Sequence, residues 1–215
     1  MGNISVTTRL WLVPTERPRC VGIVPTAQEL MGWASLQGRR AAEVRWSRSW
    51  LRGCLADHFQ VPAEQLPLVA PPGRAPSLAP GWGCVSLSHC SDALAIAWSD
   101  QPIGIDLERL DRPFSAWPLA KRFFCLEDLE ELQGLGAHRL RRAVLRQWVA
   151  KEAAIKWSCG SLARDLQAWS CPSMAATAHH RDHGWHVPIQ RYEQGPWCLA
   201  VVGSEARQRN LFCLV

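Results

Sequence analysis

The chain has 215 residues, of which 47% are hydrophobic and 20% are charged, a composition typical of an ordinary globular protein. Its formal net charge of +5 is too mild to indicate nucleic-acid binding by itself. The longest apolar run, Ala93–Trp98, is too short to span a bilayer, and no secretory signal opens the sequence, so we expect a cytoplasmic protein with no membrane partner.

The nine cysteines show no repeating spacing and no CxxC pair. Several lie in apolar runs, among them Cys54, Cys84 and Cys213, where reduced cysteine behaves as a small hydrophobic residue. We therefore predict free thiols in a reducing compartment instead of a disulfide framework.

The first half of the chain predicts a strand, a helix and two further strands. Leu10–Val13 is a short strand candidate, and residues 37–59 have the apolar spacing of a helix. The positions that share one face of this helix are Val44, Ser47, Leu51 and Leu55. Residues 62–80 contain six prolines and predict a surface loop. Cys84–Leu87 and Ala93–Trp98 predict buried strands on either side of a turn.

The second half repeats this order. Ile103–Leu107 predicts a strand, Leu126–Gln133 a short helix, and His138–Ser158 a long helix without Gly or Pro. Trp185–Arg191 and Trp197–Val202 predict two strands joined by a turn. We therefore predict two similar α+β halves, residues 1–100 and 101–215, that meet near Asp100.

Two acidic residues lie two positions apart on the strand predicted at Ile103–Leu107. Because alternate residues of a strand share a face, Asp106 and Glu108 point to one side while Ile105 and Leu107 point into the core. Adjacent carboxylates that repel each other favour a hard cation, and Mg²⁺ accepts such oxygens together with substrate phosphates. The alternative is an edge strand with a solvated acidic face.

The long predicted helix carries Trp148, Glu152 and Lys156 at intervals of four residues, which places them along one stripe. Glu152 would supply a third carboxylate to a metal site, and Lys156 would neutralise a phosphate one turn further on. The alternative is an exposed Glu–Lys pair worth about 0.3 kcal/mol.

Arg45, Arg48 and Arg52 lie within a narrow arc of the first predicted helix. Like charges at this spacing slightly disfavour a helix, and a bound anion would reverse that effect. The alternative is a set of good helix formers that keeps a surface solvated.

Ser88 and His89 end an apolar strand, and Arg74 lies in the loop before it. A hydroxyl, an imidazole and a guanidinium together suit phosphate binding, although each alone is also typical of a turn or loop. Adjacent residues of an extended segment do not face each other, so Ser88 and His89 do not indicate a Ser–His–acid triad.

Four histidines surround Asp182 and offer ligands suited to zinc: His179, His180, His183 and His186. They lack the helical HExxH arrangement, so we predict a solvated hairpin or connecting loop. The 12 tryptophans are scattered along the chain, and we expect most of them in the core.

Five motifs occur in a recognisable order: Gly73–Pro76, Ser86–Cys90, Pro102–Glu108, Phe123–Glu127 and Trp148–Lys156. The last three strongly resemble the 4′-phosphopantetheinyl transferase superfamily, and the first two resemble its longer, surfactin-synthetase-activating branch. The similarity extends from about Arg39 to Val202.

The resemblance implies an α+β monomer of two pseudo-twofold-related halves, each a small antiparallel sheet packed with a long helix, with coenzyme A in the cleft between them. It implies transfer of 4′-phosphopantetheine from coenzyme A to a serine of an apo acyl or peptidyl carrier protein. The products would be the holo-carrier protein and adenosine 3′,5′-bisphosphate. Carrier proteins present an acidic helix, which the positive charge of this chain would attract.

The resemblance also assigns the residues of the metal site. Asp106, Glu108 and Glu152 match the family's Mg²⁺ ligands, with Mn²⁺ as an alternative ion. Lys156 matches the lysine near the pyrophosphate, and Glu127 matches an acidic position of the family. Either Glu152 or a metal-bound water would accept the proton of the carrier serine.

Five further positions match or lie near the family's phosphate contacts. Ser88, His89 and Arg74 match positions that hold the nucleotide phosphates, with Arg74 in place of the commoner lysine. His89 would also support the reaction with a hydrogen bond or a positive charge. Arg45 and Arg48 are candidates for the 3′-phosphate region.

Three other functions remain open. A nucleic-acid-binding or acidic-protein-binding module would use the arginines and tryptophans but leaves the ordered carboxylates unexplained. A catalytically degenerate scaffold for carrier proteins would be expected to lose a residue of the set Asp106, Glu108, Glu152 and Lys156, all of which are present. A different metal-dependent phosphotransferase lacks support from a P-loop or kinase signature.

Overall fold

The structure of the protein is a computed structural model that describes residues 7–17, 23 and 25–203 and the backbone of 212–214. Its elements in chain order are β1 (Thr8–Pro14), α1 (Ala27–Gly32), α2 (Gly38–Phe59), β2 (Leu68–Val69), β3 (Ser77–Leu78), β4 (Cys84–His89), β5 (Ala93–Ser99), β6 (Ile103–Arg109), α3 (Ala116–Phe123), α4 (Leu126–Leu132), α5 (Ala137–Trp157), α6 (Leu162–Asp165), β7 (Trp169–Ser170), β8 (Thr177–His180), β9 (Trp185–Gln194), β10 (Trp197–Gly203) and β11 (Phe212–Leu214).

Two main sheets organise the fold. The first has the strand order β11-β1-β5-β4, and the second has the order β6-β10-β9-β8-β7. Every ladder in these sheets is antiparallel except that between β1 and β11, which is parallel and pairs Leu10 with Phe212. The predicted mixed α+β architecture with antiparallel sheets is confirmed, and the single parallel ladder was not predicted.

Each main sheet carries a long helix on its outer face. Leu51 and Leu55 of α2 pack with Leu94 and Ile96 of the first sheet. On the second sheet, α5 packs its apolar residues, such as Val149, against strands β8, β9 and β10. The inner faces of the sheets meet in a separate apolar cluster. The pseudo-twofold relation of the halves and the division at residue 100 remain predictions.

The edge strands β4 and β6 adjoin where the two sheets meet. Ser86 Oγ accepts a hydrogen bond of 3.1 Å from the Ile105 N–H, and Ser88 Oγ donates one of 2.7 Å to Asp106 Oδ1. Two serine hydroxyls of the first half thus contact the strand that carries the acidic motif.

The predicted strands and helices lie where the sequence placed them, with ends shifted by a few residues. The proline-rich loop also contains a 3₁₀ turn at Ala63–Gln65 and the β2–β3 hairpin. The sequence did not predict α3, in which Pro118 lies in the first turn. Proline is tolerated there because the missing N–H has no intrahelical acceptor.

The seven cysteines whose side chains are described are all free, as predicted for that part of the chain; the Cys213 side chain lies outside it. Burial raises the pKa of Cys171 and of Cys198 to about 12, so these thiols stay neutral. Among the described residues, no helix has both the length and the apolar character needed to cross a membrane.

Candidate active site

Strand β6 and helix α5 form the centre of the site. Ile105 and Leu107 are at most 1% exposed and pack in the apolar cluster between the sheets. Asp106 lies on the opposite face of β6, where Lys156 of α5 reaches it. The predicted orientation of these residues is therefore confirmed.

Gly104 permits the close approach of the strand and the helix. A Cβ atom at this position would lie 1.9 Å from the Ala153 carbonyl oxygen and 2.6 Å from the Trp157 backbone nitrogen. Any side chain would force β6 and α5 apart, so glycine is needed to keep the strand carboxylates close to α5.

Asp106 is 3% exposed and uses one of its two oxygens. Oδ1 accepts hydrogen bonds of 2.7 Å from both Ser88 Oγ and Lys156 Nζ, and Lys156 Nζ also donates to the Ile105 carbonyl at 3.1 Å. Oδ2 is buried and has no hydrogen-bond partner in the described part of the chain. A buried carboxylate oxygen without a partner is costly, and a bound cation would compensate it.

Glu108 and Glu152 share the electrostatic environment of Asp106. Burial raises the pKa of Glu108 even though Arg112 forms an ion pair with it. The pKa of Glu152 is raised to about 8, first by burial and then by the negative charge of Asp106, while Lys156 opposes the rise. Glu152 therefore holds a proton at neutral pH unless a cation replaces it.

The donor set fits a divalent cation that also takes oxygens from a substrate. As the side chains stand, no three His, Cys, Asp or Glu residues of the described ranges are arranged to hold a metal ion. Lys156 and Arg112 instead supply the positive charge at Asp106 and Glu108. The unpartnered oxygen of Asp106 and the negative charges of Asp106 and Glu108 next to Glu152 favour binding of a cation, and ligation by these three carboxylates remains a prediction.

A cleft of about 460 Å³ opens beside Glu108, with walls from both halves of the chain; its lining residues are Cys90, Ser91, Glu108, Arg109, Asp111, Arg112 and Pro113. Asp92, in the turn between β4 and β5, connects the Cys90–Ser91 side of the cleft to the second sheet. It forms an ion pair with Arg109, and its Oδ1 accepts a hydrogen bond of 2.9 Å from Trp197 Nε1. The width of the cleft thus depends on contacts between the β4–β5 turn and the second sheet.

The predicted phosphate-binding residues do not all contact the acidic residues of β6 and α5. Ser88 is buried against Asp106, and His89 is exposed at the end of β4. Arg74 and Arg45 are also exposed, and within the described residues no hydrogen bond or ion pair joins either side chain to the acidic residues. Their roles remain predictions.

The arginine arc of α2 has a structural use that the sequence did not reveal. Arg48 is 8% exposed and donates to the carbonyls of Ala70 at 3.1 Å and Pro71 at 3.4 Å. Arg52 is 2% exposed and bonds the Ala63 carbonyl at 2.8 Å. Both side chains therefore satisfy carbonyls of the proline-rich segment. Contact of Arg48 with a 3′-phosphate also remains a prediction.

Lys151 and Asp128 form a buried ion pair that the sequence analysis missed. Both side chains are 0% exposed, with Lys151 Nζ 2.5 Å from Asp128 Oδ2. Lys151 also donates to the carbonyls of Leu166, at 3.0 Å, and Trp169. Lys151 lies next to Glu152 in the helical motif, which could have drawn attention to it. Helical spacing alone, however, does not identify Asp128 as its buried partner.

Glu127 and the histidine-rich segment were also singled out in the sequence. The Glu127 carboxylate is exposed and lies 3.8 Å from Arg181. The histidine-rich segment forms the predicted hairpin, with His179 and His186 paired across β8 and β9 and their rings stacked at 4.4 Å. The hairpin is not solvated throughout, because His180 is 4% exposed and its ring lies 4.8 Å from that of Trp169.

Comparison with known proteins identifies related sequences. Residues 102–202 match the model of the family described as the 4′-phosphopantetheinyl transferase superfamily. The chain is similar to the 4′-phosphopantetheinyl transferase psf-1 of Bacillus pumilus, with 29% identity over 114 residues, which are 52% of this chain and 48% of that protein. It is also similar to a protein of Synechocystis sp. named "Putative 4′-phosphopantetheinyl transferase slr0495", with 27% identity over 162 residues, 69% of this chain and 63% of that protein.

The alignments span less than two thirds of the length of either relative. The matched region nevertheless contains β6, the cleft residues Glu108–Pro113 and the whole of α5. Residues 102–202 of the chain therefore match the 4′-phosphopantetheinyl transferase superfamily.

Proposed function

We propose that this protein transfers 4′-phosphopantetheine from coenzyme A to a serine of an apo acyl or peptidyl carrier protein and releases adenosine 3′,5′-bisphosphate. One observation carries the proposal: the buried Asp106 has one unpartnered oxygen and raises the pKa of Glu152, while Glu108 on the same strand lines a cleft. The superfamily match and the names of the two relatives support the same reaction.

Asp106, Glu108 and Glu152 would hold Mg²⁺, with Mn²⁺ as an alternative ion. When bound, the cation would offset the negative charge that develops on the leaving adenosine 3′,5′-bisphosphate as the pyrophosphate bond of coenzyme A breaks. Lys156 donates to Asp106 and to the Ile105 carbonyl, and its ammonium group would add positive charge near the pyrophosphate of the substrate.

The nucleophile is the hydroxyl of the carrier protein. Glu152 or a water held by the bound cation would accept the proton of that hydroxyl. His89, exposed at the end of β4, would hydrogen-bond a phosphate together with Arg74. Arg45 and Arg48 are the residues we assign to the 3′-phosphate region.

The partners of the proposed reaction are coenzyme A and the acidic helix of a carrier protein. The formal charge of +5 would favour encounter with such a surface. We expect a cytoplasmic monomer that requires neither nucleic acid nor a membrane.

Intact-protein mass spectrometry tests the reaction directly. An apo carrier protein is incubated with this protein, coenzyme A and Mg²⁺, with an EDTA control. We expect a gain of one phosphopantetheine group that EDTA abolishes. A folded protein that modifies no fatty-acid, polyketide or peptide-synthetase carrier would refute the proposal and favour the non-catalytic scaffold.

Matched variants test the metal site. Asp106→Ala and Glu152→Ala should each reduce transfer by about 100-fold or more while the circular dichroism spectrum is retained. Asp111→Asn is the control because Asp111 lines the cleft beside Glu108 but pairs with Arg109. Wild-type turnover in both alanine variants would contradict the assignment of the carboxylates.

A further inference from the structure

Arg112 lies where the cleft meets a small apolar groove. It lines the cleft together with Glu108, and it lines the groove with Phe114, Leu119, Leu145 and Trp148. Its guanidinium carbon is 5.9 Å from the ring centroid of Phe114 and 6.0 Å from that of Trp148. The aromatic rings thus hold a cation at the edge of the proposed catalytic cleft.

The two arginines of the cleft differ in what neutralises them. Arg109 forms ion pairs with both Asp92 and Asp111. Within the described residues, the only carboxylate paired with Arg112 is Glu108, and the Arg112 side chain is 34% exposed. Arg112 is therefore the cleft cation whose neutralisation depends on a proposed metal ligand.

We propose that Arg112 serves as the counter-cation of Glu108 in the metal-free protein and moves to a phosphate of the substrate when a metal ion binds Glu108. This inference rests on the proposed function. Arginine keeps its charge at any accessible pH, so a guanidinium displaced from Glu108 needs another anion. Its planar fork matches the oxygens of a phosphate.

The surroundings allow such an exchange without movement of the backbone. Arg141 on α5 donates hydrogen bonds to the backbone carbonyls of Arg112 and, at 3.5 Å, of Phe114. These contacts tie the loop after β6 to α5. Arg112 lines both the groove and the cleft, so the proposed exchange requires a rotation of its side chain from Glu108 toward the open volume.

Binding titrations with Mg²⁺ alone test the first half of the proposal. Isothermal titration calorimetry of the metal-free protein should show that Arg112→Gln binds Mg²⁺ about threefold more tightly than wild type, because a competing cation at a partly exposed site is removed. In the double variant Glu108→Gln/Arg112→Gln, the arginine change should no longer tighten Mg²⁺ binding relative to Glu108→Gln.

Titration with coenzyme A in the presence of Mg²⁺ tests the second half. Arg112→Gln should bind coenzyme A about tenfold more weakly, since a two-point phosphate contact is lost. Arg112→Lys keeps the charge but not the fork, so it should leave the Mg²⁺ affinity near the wild-type value and still weaken coenzyme A binding. This variant decides the question if Arg112→Gln fails to fold.

Arg142→Gln is the matched control. It removes the same charge, but Arg142 pairs with Glu193, is 53% exposed and does not line the cleft. Both of its affinities should stay within about twofold of wild type.

The proposal expects Arg112→Gln to tighten Mg²⁺ binding and to weaken coenzyme A binding. Structural damage would instead weaken the binding of both ligands. Weaker or unchanged Mg²⁺ binding by Arg112→Gln would overturn the proposal, as would unchanged coenzyme A binding. Neither titration needs a carrier protein or turnover. Failure of the transfer reaction is therefore distinguishable from failure of this inference.

Discussion

Replacing Lys151 by methionine removes a buried ammonium group but keeps most of the side-chain volume. Lys151 and Asp128 are both 0% exposed and 2.5 Å apart. After the change, the carboxylate of Asp128 would keep the Cys171 N–H as a donor at 2.8 Å but would lose the one ion-pair partner that it has among the described residues. The Leu166 carbonyl would lose its bond to Nζ.

The expected loss of stability follows from that uncompensated charge. Removing one member of a buried ion pair costs about 3 to 5 kcal/mol. For a chain of this length, each kcal/mol lowers the Tm by roughly 2 to 4 °C, so we expect Lys151→Met to melt roughly 6 to 20 °C below wild type. Successive helix residues lie roughly 100° apart, and the pair therefore also fixes the direction in which Glu152 points.

Urea unfolding followed by circular dichroism measures the loss in free energy of unfolding, and a thermal melt measures the loss in Tm. Lys121→Met is the control: Lys121 is exposed and lies 5.5 Å from the Trp117 ring centroid, and its loss should change the free energy of unfolding by less than about 0.5 kcal/mol. The double variant Asp128→Leu/Lys151→Met should recover part of the loss, because no charge is then left buried. A free energy of unfolding for Lys151→Met within about 1 kcal/mol of wild type would refute the reasoning.

Two further predictions concern the contact of β6 with α5 and the charge of the site. Gly104→Ala should lower the free energy of unfolding, measured in urea, by about 3 kcal/mol, because its Cβ would clash with the backbone of α5. Gly32→Ala is the control and should be nearly neutral, because a Cβ at Gly32 meets no atom within 4 Å. Equal effects of the two changes would contradict the close approach of β6 and α5. The pKa of Glu152, about 8, lies above the ordinary 4.5, so the folded metal-free protein keeps a proton that the unfolded chain has released, and its stability should fall as pH rises from 5 to 8. Thermal melts in EDTA should show that stability falls less steeply with pH in Glu152→Gln than in wild type; equal slopes would show that Glu152 is not a titrating group in this range.

The strand and helix of the site could be predicted because their patterns are local. Alternation in Ile103–Leu107 assigns Asp106 and Glu108 to one face, and the absence of Gly or Pro over His138–Ser158 predicts the long helix. The structure confirms both elements. Which side chains neutralise the carboxylates could not be predicted, because Arg112 and Lys156 reach them through contacts that local periodicity does not encode.

The arginines of α2 show that a charged residue in a helix pattern does not always lie at the surface. Arg48 and Arg52 were interpreted as exposed cations, yet both are buried. The proline-rich segment beside α2 forms few backbone ladders, so its carbonyls need other donors. Arg48 and Arg52 are these donors. The helix pattern of α2 alone does not indicate that the neighbouring segment has carbonyls in need of a donor.

The parallel ladder between β1 and β11 has a consequence for synthesis of the chain. Leu10 pairs with Phe212, so the whole second half is topologically an insertion between two strands of the first sheet. During translation the edge of β1 stays without this neighbour until residue 214 has left the ribosome. Contacts of such wide sequence separation form late, and an unpaired strand edge is prone to aggregation in the meantime. Changes near residues 212–214 should therefore affect the yield of folded protein more than its catalytic site.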